Sequence, residues 1–217
     1  DAADREATRH GTVAGMSVDH FAITVPRSWF ELPVEPERRD DRISALVQER
    51  IEDHRELWDH RTEIVRVLRR FARSAWDSGA RYCAAFAEPS EDGIVSGALT
   101  VTVLPAPEAG GDPLAALTDH VAALGGDDDG MHVDVHEVPR VGRVPRVWGV
   151  STVQAPDGRG SFDVVLMQTF VPAGDQVALV SVSSPATDLA EPLYELFETV
   201  TDTFELIDSA AVGSEAS

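Results

Sequence analysis

Two groups of residues have side-chain types and a spacing that could do chemistry. His132, Asp134 and His136 recur at every second position of a β-type run, so all three side chains lie on one face of a strand. Two imidazoles at this spacing can ligate zinc, with Asp134 as a third ligand or as a support for one histidine. The alternate positions are apolar, and the simpler interpretation is therefore that the trio forms the solvent side of an edge strand.

The second group consists of arginines on a predicted helix. Arg66, Arg69, Arg70 and Arg73 follow an i, i+3, i+4, i+7 spacing and share one helical face, and only Glu63 is near enough in sequence to neutralise one of them. A planar guanidinium binds carboxylates through two parallel hydrogen bonds, so this face could dock an acidic protein or another copy of the chain. The alternative is a solvated face whose arginines pair with acids elsewhere on the body.

Patterns typical of enzymes are not found in the sequence. The chain contains no G-x-S-x-G, no P-loop, no dinucleotide-binding glycine pattern and no H-E-x-x-H. Its single cysteine, Cys83, follows Tyr82 and precedes Ala84 in a β-type run, which indicates a buried side chain rather than a nucleophile. We therefore expect a non-enzymatic protein with no catalytic residue and no cofactor. The alternative is a metal-binding protein or metal-dependent enzyme that uses the His-x-Asp-x-His strand.

The charge of the chain restricts the class of partner. Its 217 residues include 38 acidic and 18 basic side chains, for a net charge of −20, and every basic one is arginine. This charge opposes non-specific binding to nucleic acid or anionic lipid, and no apolar run approaches the ~18 residues that span a bilayer. Residues 38–81 hold eleven of the arginines beside nine acids. We expect a protein partner with an acidic surface or a homo-oligomer, with no nucleic acid and no membrane span.

The arginine face belongs to a predicted pair of helices. Apolar residues at spacings of three and four indicate one helix after the acidic Asp40 and Asp41, and a second that ends at Gly79. The apolar positions are Ile43, Leu46, Val47 and Ile51 in the first helix, and Ile64, Val67, Leu68, Phe71 and Ala75 in the second. The predicted arginine face lies opposite this second stripe.

The remaining pattern predicts an α+β fold. Asp112-Pro113 indicates the start of a further helix that ends at Gly125, and a C-terminal helix carries an apolar stripe over residues 193–204. Period-two runs that predict strands lie at residues 21–25, 81–87, 94–104, 131–136, 144–153, 162–171 and 177–183. This order predicts an antiparallel sheet of about six strands with helices packed on one side of it.

The predicted organisation is one domain with two tails. Residues 18–207 form the α+β domain, and residues 38–79 are a helical insertion into it. Residues 1–17 and 208–217 contain few apolar side chains and no hydrophobic period, which is typical of flexible tails.

Several apolar patterns of the chain resemble those of PsbP-like proteins. Residues 21–30, FAITVPRSWF, resemble the strand-Pro-x-x-Trp opening of that family, residues 162–172 and 177–185 are similar to its paired late strands, and residues 193–204 look like its closing helix. The resemblance implies an antiparallel sheet flanked by helices and a non-enzymatic accessory role. The chain departs from the family by the insertion at residues 38–79 and by the lack of a lipobox cysteine near its start. Together with the absence of lysine, the resemblance indicates an actinobacterial, cytoplasmic protein.

Overall fold

The computed structural model describes residues 21–52, 55–90, 93–106, 115–119, 121, 130–154 and 160–207. The predicted tails, residues 1–17 and 208–217, lie outside the described residues. Within these ranges no helix has the length and apolar character needed to cross a membrane.

More of the described residues lie in strands than in helices. The strands are β1 (Phe21–Ala22), β2 (Phe30–Glu31), β3 (Ala80–Ser90), β4 (Gly93–Pro105), β5 (Met131–Val138), β6 (Gly142–Gln154), β7 (Ser161–Ala173), β8 (Gln176–Ser184) and β9 (Glu205–Leu206). The main sheet has seven strands in the order β2-β3-β4-β8-β7-β6-β5, and β1 pairs with β9 in a separate two-stranded sheet. Every pairing is antiparallel. The predicted α+β class with an antiparallel sheet is confirmed, with one more strand in the main sheet than expected.

The predicted helices are present where their sequences are described. They are α1 (Arg39–Glu52), α2 (Arg61–Asp77) and α3 (Ala190–Thr201), with 3₁₀ turns at Arg55–His60 and Thr187–Leu189. Residues 115–119 are also helical. The predicted start of that helix at Asp112-Pro113 and its predicted end at Gly125 lie outside the described residues.

One face of the main sheet is covered by α3. Its side chains Leu193, Phe197 and Val200 are buried, and they belong to a cluster that includes Val171 of β7 and Ala178 of β8. This cluster is the largest apolar core of the described chain, and it holds α3 against the C-terminal half of the sheet.

The other face is also covered by helices. Leu117 and Val121 pack on Phe170 of β7 and Val177 of β8. Neighbouring residues in a strand point to opposite faces, so Phe170 lies on the face opposite Val171. The expectation that all helices pack on one side is therefore wrong. The physical reason is that β7 and β8 are apolar on both faces, and each face needs a cover.

The helical pair α1–α2 covers this second face at the other end of the sheet. Its core includes Ile43 and Val47 of α1, Ala72 of α2 and Cys83 of β3. The buried stripe of α2 differs from the predicted one, since Val67 and Phe71 are 54% and 48% exposed. The predicted stripe has more apolar residues than its neighbours cover. The buried residue of α2 is the small Ala72, which packs in the same cluster as Ile43 and Val47 of α1.

Candidate functional site: an arginine-lined cleft

The four arginines of the predicted helix face all line one open cleft between α1 and α2. The cleft has a volume of about 670 Å³. Its lining residues are Ser44, Arg61, Thr62, Val65, Arg66, Arg69, Arg70 and Arg73. The structure therefore brings the arginine face together as expected, and it adds Arg61 and two hydroxyl groups. Below, this feature is called the arginine cleft.

Two arginines of the cleft are held by α1. Arg69 Nη2 donates hydrogen bonds to the main-chain oxygen of Asp40 and to Ser44 Oγ, each at 2.8 Å. Arg73 Nη2 donates to Asp40 Oδ2 at 3.0 Å. Asp40 lies in the first turn of α1, where a carboxylate also interacts favourably with the helix dipole. These contacts tie α1 to α2, so Arg69 and Arg73 stabilise the helical pair as well as line the cleft.

Three other arginines of the cleft keep their charge exposed. The side chains of Arg61, Arg66 and Arg70 are exposed. Over the described ranges, none of them lies within 4.0 Å of a carboxylate, and Glu63 forms no ion pair there either. Like charges on one helix face repel each other and destabilise the helix. An anion bound in the cleft would remove that repulsion.

Two residues at the cleft are not among those that the sequence predicts: Arg61, which lines it, and Asp40, which holds Arg69 and Arg73. Asp40 carries only the signal of a helix start, because its contacts with Arg69 and Arg73 span 29 and 33 positions of the chain. Arg61 had a usable signal, since it stands two i+4 steps before Arg69 on the same helix face.

The strand that carries His132, Asp134 and His136 is β5, and these three side chains have three different partners. The His132 ring lies on Trp148 with ring centroids 4.6 Å apart. Asp134 accepts hydrogen bonds from Arg146 at 3.0 and 2.8 Å, and His136 Nε2 lies 2.7 Å from Asp202 Oδ1. Among the described residues, His136 belongs to a group of potential metal ligands that approach one another, whereas His132 and Asp134 do not. Zinc binding by the trio stays a prediction.

Both faces of β5 are partly exposed. Val133 and Val135 on the apolar face are 39% and 37% exposed, and on the polar face His132 is exposed while Asp134 and His136 are half-buried. The polar face is therefore only in part the solvent side that the sequence predicts. Arg146 of β6, which is only 9% exposed, binds carboxylates on that side of the sheet.

Arg146 sets the electrostatics of this region. Burial alone would raise the pKa of Asp134, but the hydrogen bonds and charge of Arg146, with a hydrogen bond from Trp148, lower it below its usual value. Burial would likewise lower the pKa of Arg146, and Asp134 and Glu198 together raise it. Both groups therefore remain charged at neutral pH.

Cys83 has the surroundings of an inert thiol. Its side chain is 3% exposed, and burial raises its pKa to about 12. A nucleophilic cysteine needs a stabilised thiolate, whereas burial stabilises the protonated thiol of Cys83. The prediction of a buried side chain at position 83 is confirmed.

Comparisons with known proteins include a weak structural similarity. No protein-family model and no curated protein sequence matches the chain. The fold is similar to that of LpqN, described as involved in cell envelope biogenesis of Mycobacterium tuberculosis, with a TM-score of 0.41 and 10% sequence identity. The match covers 86% of this chain and 82% of LpqN.

Proposed function

We propose that the protein is a non-enzymatic accessory or adaptor protein that binds an acidic segment of another protein in the arginine cleft. The observation that supports this most is the pair Arg66 and Arg70. Both guanidinium groups are exposed on one helix face, without a carboxylate partner in the described ranges, although the chain as a whole has a net charge of −20. An acidic ligand is complementary to this local surface and to little else on the chain.

The dimensions of the cleft suit a short segment of polypeptide. A volume of about 670 Å³ is of the size that holds a drug-sized ligand or a few side chains. The hydroxyl of Thr62 adds a donor to the cleft, whereas that of Ser44 already donates to the main-chain oxygen of Asp40 and accepts from Arg69. Aspartate and glutamate side chains could therefore form bidentate pairs with arginine and an additional hydrogen bond with the Thr62 hydroxyl.

The family resemblance of the sequence supports the same proposal. The patterns at residues 21–30 and 162–172 resemble PsbP-like proteins, most of which are non-enzymatic binding or accessory proteins. An actinobacterial origin and a cytoplasmic location belong to this proposal as well.

The test compares two double variants with equal changes in charge. Arg66→Glu/Arg70→Glu reverses the two unpaired arginines of the cleft. Arg27→Glu/Arg143→Glu reverses two exposed arginines away from it, and neither of these has an ion pair in the described chain. The probe is a fluorescein-labelled octaglutamate peptide, and binding is followed by fluorescence anisotropy at low and moderate salt.

We expect the cleft variant to lose at least about tenfold in peptide affinity and the control variant to keep the affinity of the wild type. Salt should weaken the binding of the wild type. Equal losses in the two variants, or no binding by the wild type at low salt, would overturn the proposal. Size-exclusion chromatography tests whether the partner is a second copy of the chain. If the wild type is an oligomer and only the cleft variant disrupts it, the arginine cleft binds another copy of the chain.

A further inference from the structure

Three metal-ligand side chains converge where β5 meets the C-terminal end of α3, away from the arginine cleft. His136, Glu198 and Asp202 each bring one potential ligand atom within 4.8 Å of the others. Glu198 and Asp202 are spaced i, i+4 at the end of α3, which puts both carboxylates on one helix face, and His136 reaches them from the strand. All three side chains are half-buried.

We propose that His136, Glu198 and Asp202 form a binding site for a divalent transition-metal ion of the zinc type. One imidazole nitrogen and two carboxylate oxygens are a ligand set that suits Zn²⁺, and three protein ligands leave the remaining position for water. Of the His-x-Asp-x-His trio only His136 takes part, and the other two ligands come from α3.

The local charge favours a divalent cation. The nearest guanidinium is that of Arg146, which is shared between Asp134 and Glu198. The three carboxylates of Asp134, Glu198 and Asp202 and this one guanidinium together carry a net charge of −2 beside the imidazole. A group with this excess of negative charge gains most from an ion of charge +2.

Arg146 also orients one of the ligands. Its Nη1 donates to Glu198 Oε2 at 2.7 Å, and the second oxygen, Oε1, has no hydrogen bond within the described chain. A partner that holds one carboxylate oxygen and leaves the other available is typical of the residues that surround metal ligands. Arg146 is thus a positioning residue of this site.

Metal binding requires only a small movement of the other two ligands. His136 Nε2 and Asp202 Oδ1 are 2.7 Å apart. Two atoms that each lie about 2.0–2.1 Å from a tetrahedral zinc ion are about 3.3 Å from each other. The ion would therefore replace the hydrogen bond between His136 and Asp202, with a shift of a few tenths of an ångström in each of these two atoms, and the Glu198 oxygen, which lies within 4.8 Å of both, would also move closer.

The proposal is tested with metal-free, untagged protein and Zn²⁺ alone. Isothermal titration gives the stoichiometry and affinity, and thermal unfolding gives the stabilisation by the ion. The variants are His136→Ala and Asp202→Asn, and the matched control is His132→Ala on the same strand, whose ring contacts Trp148 rather than the site. Asp202→Asn keeps the shape of the side chain, so it remains informative if His136→Ala unfolds.

We expect one Zn²⁺ per chain, a melting temperature that rises with zinc, and an affinity at least about tenfold lower in both site variants. The His132→Ala control should bind as the wild type does. Wild-type protein that binds no zinc would overturn the proposal, and so would a zinc affinity that survives Asp202→Asn. An equal loss in the His132→Ala control would place the ion elsewhere on β5 and would also overturn it.

Discussion

Arg146 and Asp134 form a bidentate ion pair across neighbouring strands, with Nε to Oδ1 at 3.0 Å and Nη2 to Oδ2 at 2.8 Å. Arg146 is also joined to Glu198 of α3, and Trp148 Nε1 donates to Asp134 Oδ2 at 3.1 Å. The pair therefore links β5, β6 and α3 through polar contacts beside the largest apolar core of the described chain. The guanidinium of Arg146 is nearly buried, whereas the carboxylates of Asp134 and Glu198 are partly exposed.

The first prediction concerns the substitution Arg146→Leu. Removing the guanidinium leaves two partly buried carboxylates without a cation, and we expect the free energy of unfolding to fall by about 2–3 kcal/mol. The measurement is urea unfolding followed by circular dichroism. Arg143→Leu, which removes an exposed arginine from the same strand, should cost less than about 0.5 kcal/mol. Similar losses in the two variants would contradict a stabilising role of the ion pair.

The second prediction concerns acid. The pKa of Asp134 is lowered in the folded protein, so its contribution to stability is present in full above the unfolded value of about 3.9 and is lost as the pH falls through the folded value. We expect wild type and Asp134→Asn to differ most in unfolding free energy near neutral pH and to converge below about pH 4. Urea midpoints from pH 7 to pH 3 measure this difference. Asp175→Asn, at an exposed carboxylate without an ion pair in the described chain, should follow the wild type throughout.

The third prediction concerns Cys83. Burial raises the pKa of its thiol from 9.0 to about 12, so the thiolate population at pH 8 is about 10³-fold lower in the folded protein than in the unfolded one. We expect Ellman's reagent to react with the native protein at least that much more slowly than with protein in urea. The raised pKa also means that the Cys83 thiol contributes fully to the free energy of unfolding below about pH 9. This contribution falls as the pH rises towards 12. A native rate within tenfold of the unfolded rate would show an accessible thiol.

The fourth prediction concerns Gly97 of β4. A Cβ atom at this position would lie 2.4 Å from Cε1 of Phe86 and 2.8 Å from the main-chain oxygen of Ser183. The Phe86 ring stacks on Trp29 with centroids 4.8 Å apart, which limits its movement. We expect Gly97→Ala to lower the melting temperature and to cost about 1–3 kcal/mol of unfolding free energy. The neighbouring Ser96→Ala should be nearly neutral.

A double variant separates steric overlap from other effects of the substitution at Gly97. Replacing Phe86 with leucine removes the ring atoms that a new Cβ would meet. Gly97→Ala should therefore cost less in the Phe86→Leu background than in the wild type. Additive losses would place the strain at the backbone instead.

The periodicity of the sequence predicts most helices and strands, because burial on one face is a local property of each segment. The stripe that includes Ile64 and Leu68 indicated α2, and the alternation around Phe86 indicated β3. The same reasoning placed the four arginines of the cleft on one face. Contacts between distant segments leave no such local signal, and the hydrogen bond between His136 and Asp202 joins residues 66 positions apart.

The stripe of α2 shows where local reasoning ends. Its periodicity predicts that Phe71 is buried, whereas Phe71 is 48% exposed. The covered positions of a helix depend on the neighbouring elements, and α2 buries Ala72 in the cluster that it shares with Ile43 and Val47 of α1.

The order of strands in the main sheet has a consequence for how the chain folds. Each neighbouring pair follows directly in sequence except β4 and β8, where Leu99 pairs with Val182 and Val101 with Val180. The β3–β4 hairpin and the strands β5 to β8 can each form between strands that follow one another closely, whereas β2 joins β3 across residues 32–79 and the β4–β8 ladder joins residues 71 to 85 positions apart. Loop closure of this length is the slow and entropically costly event in folding. Substitutions in the β4–β8 ladder and in the β3–β4 hairpin should therefore change the refolding rate more than the unfolding rate, because both sets of contacts are formed by the time that the loop closes.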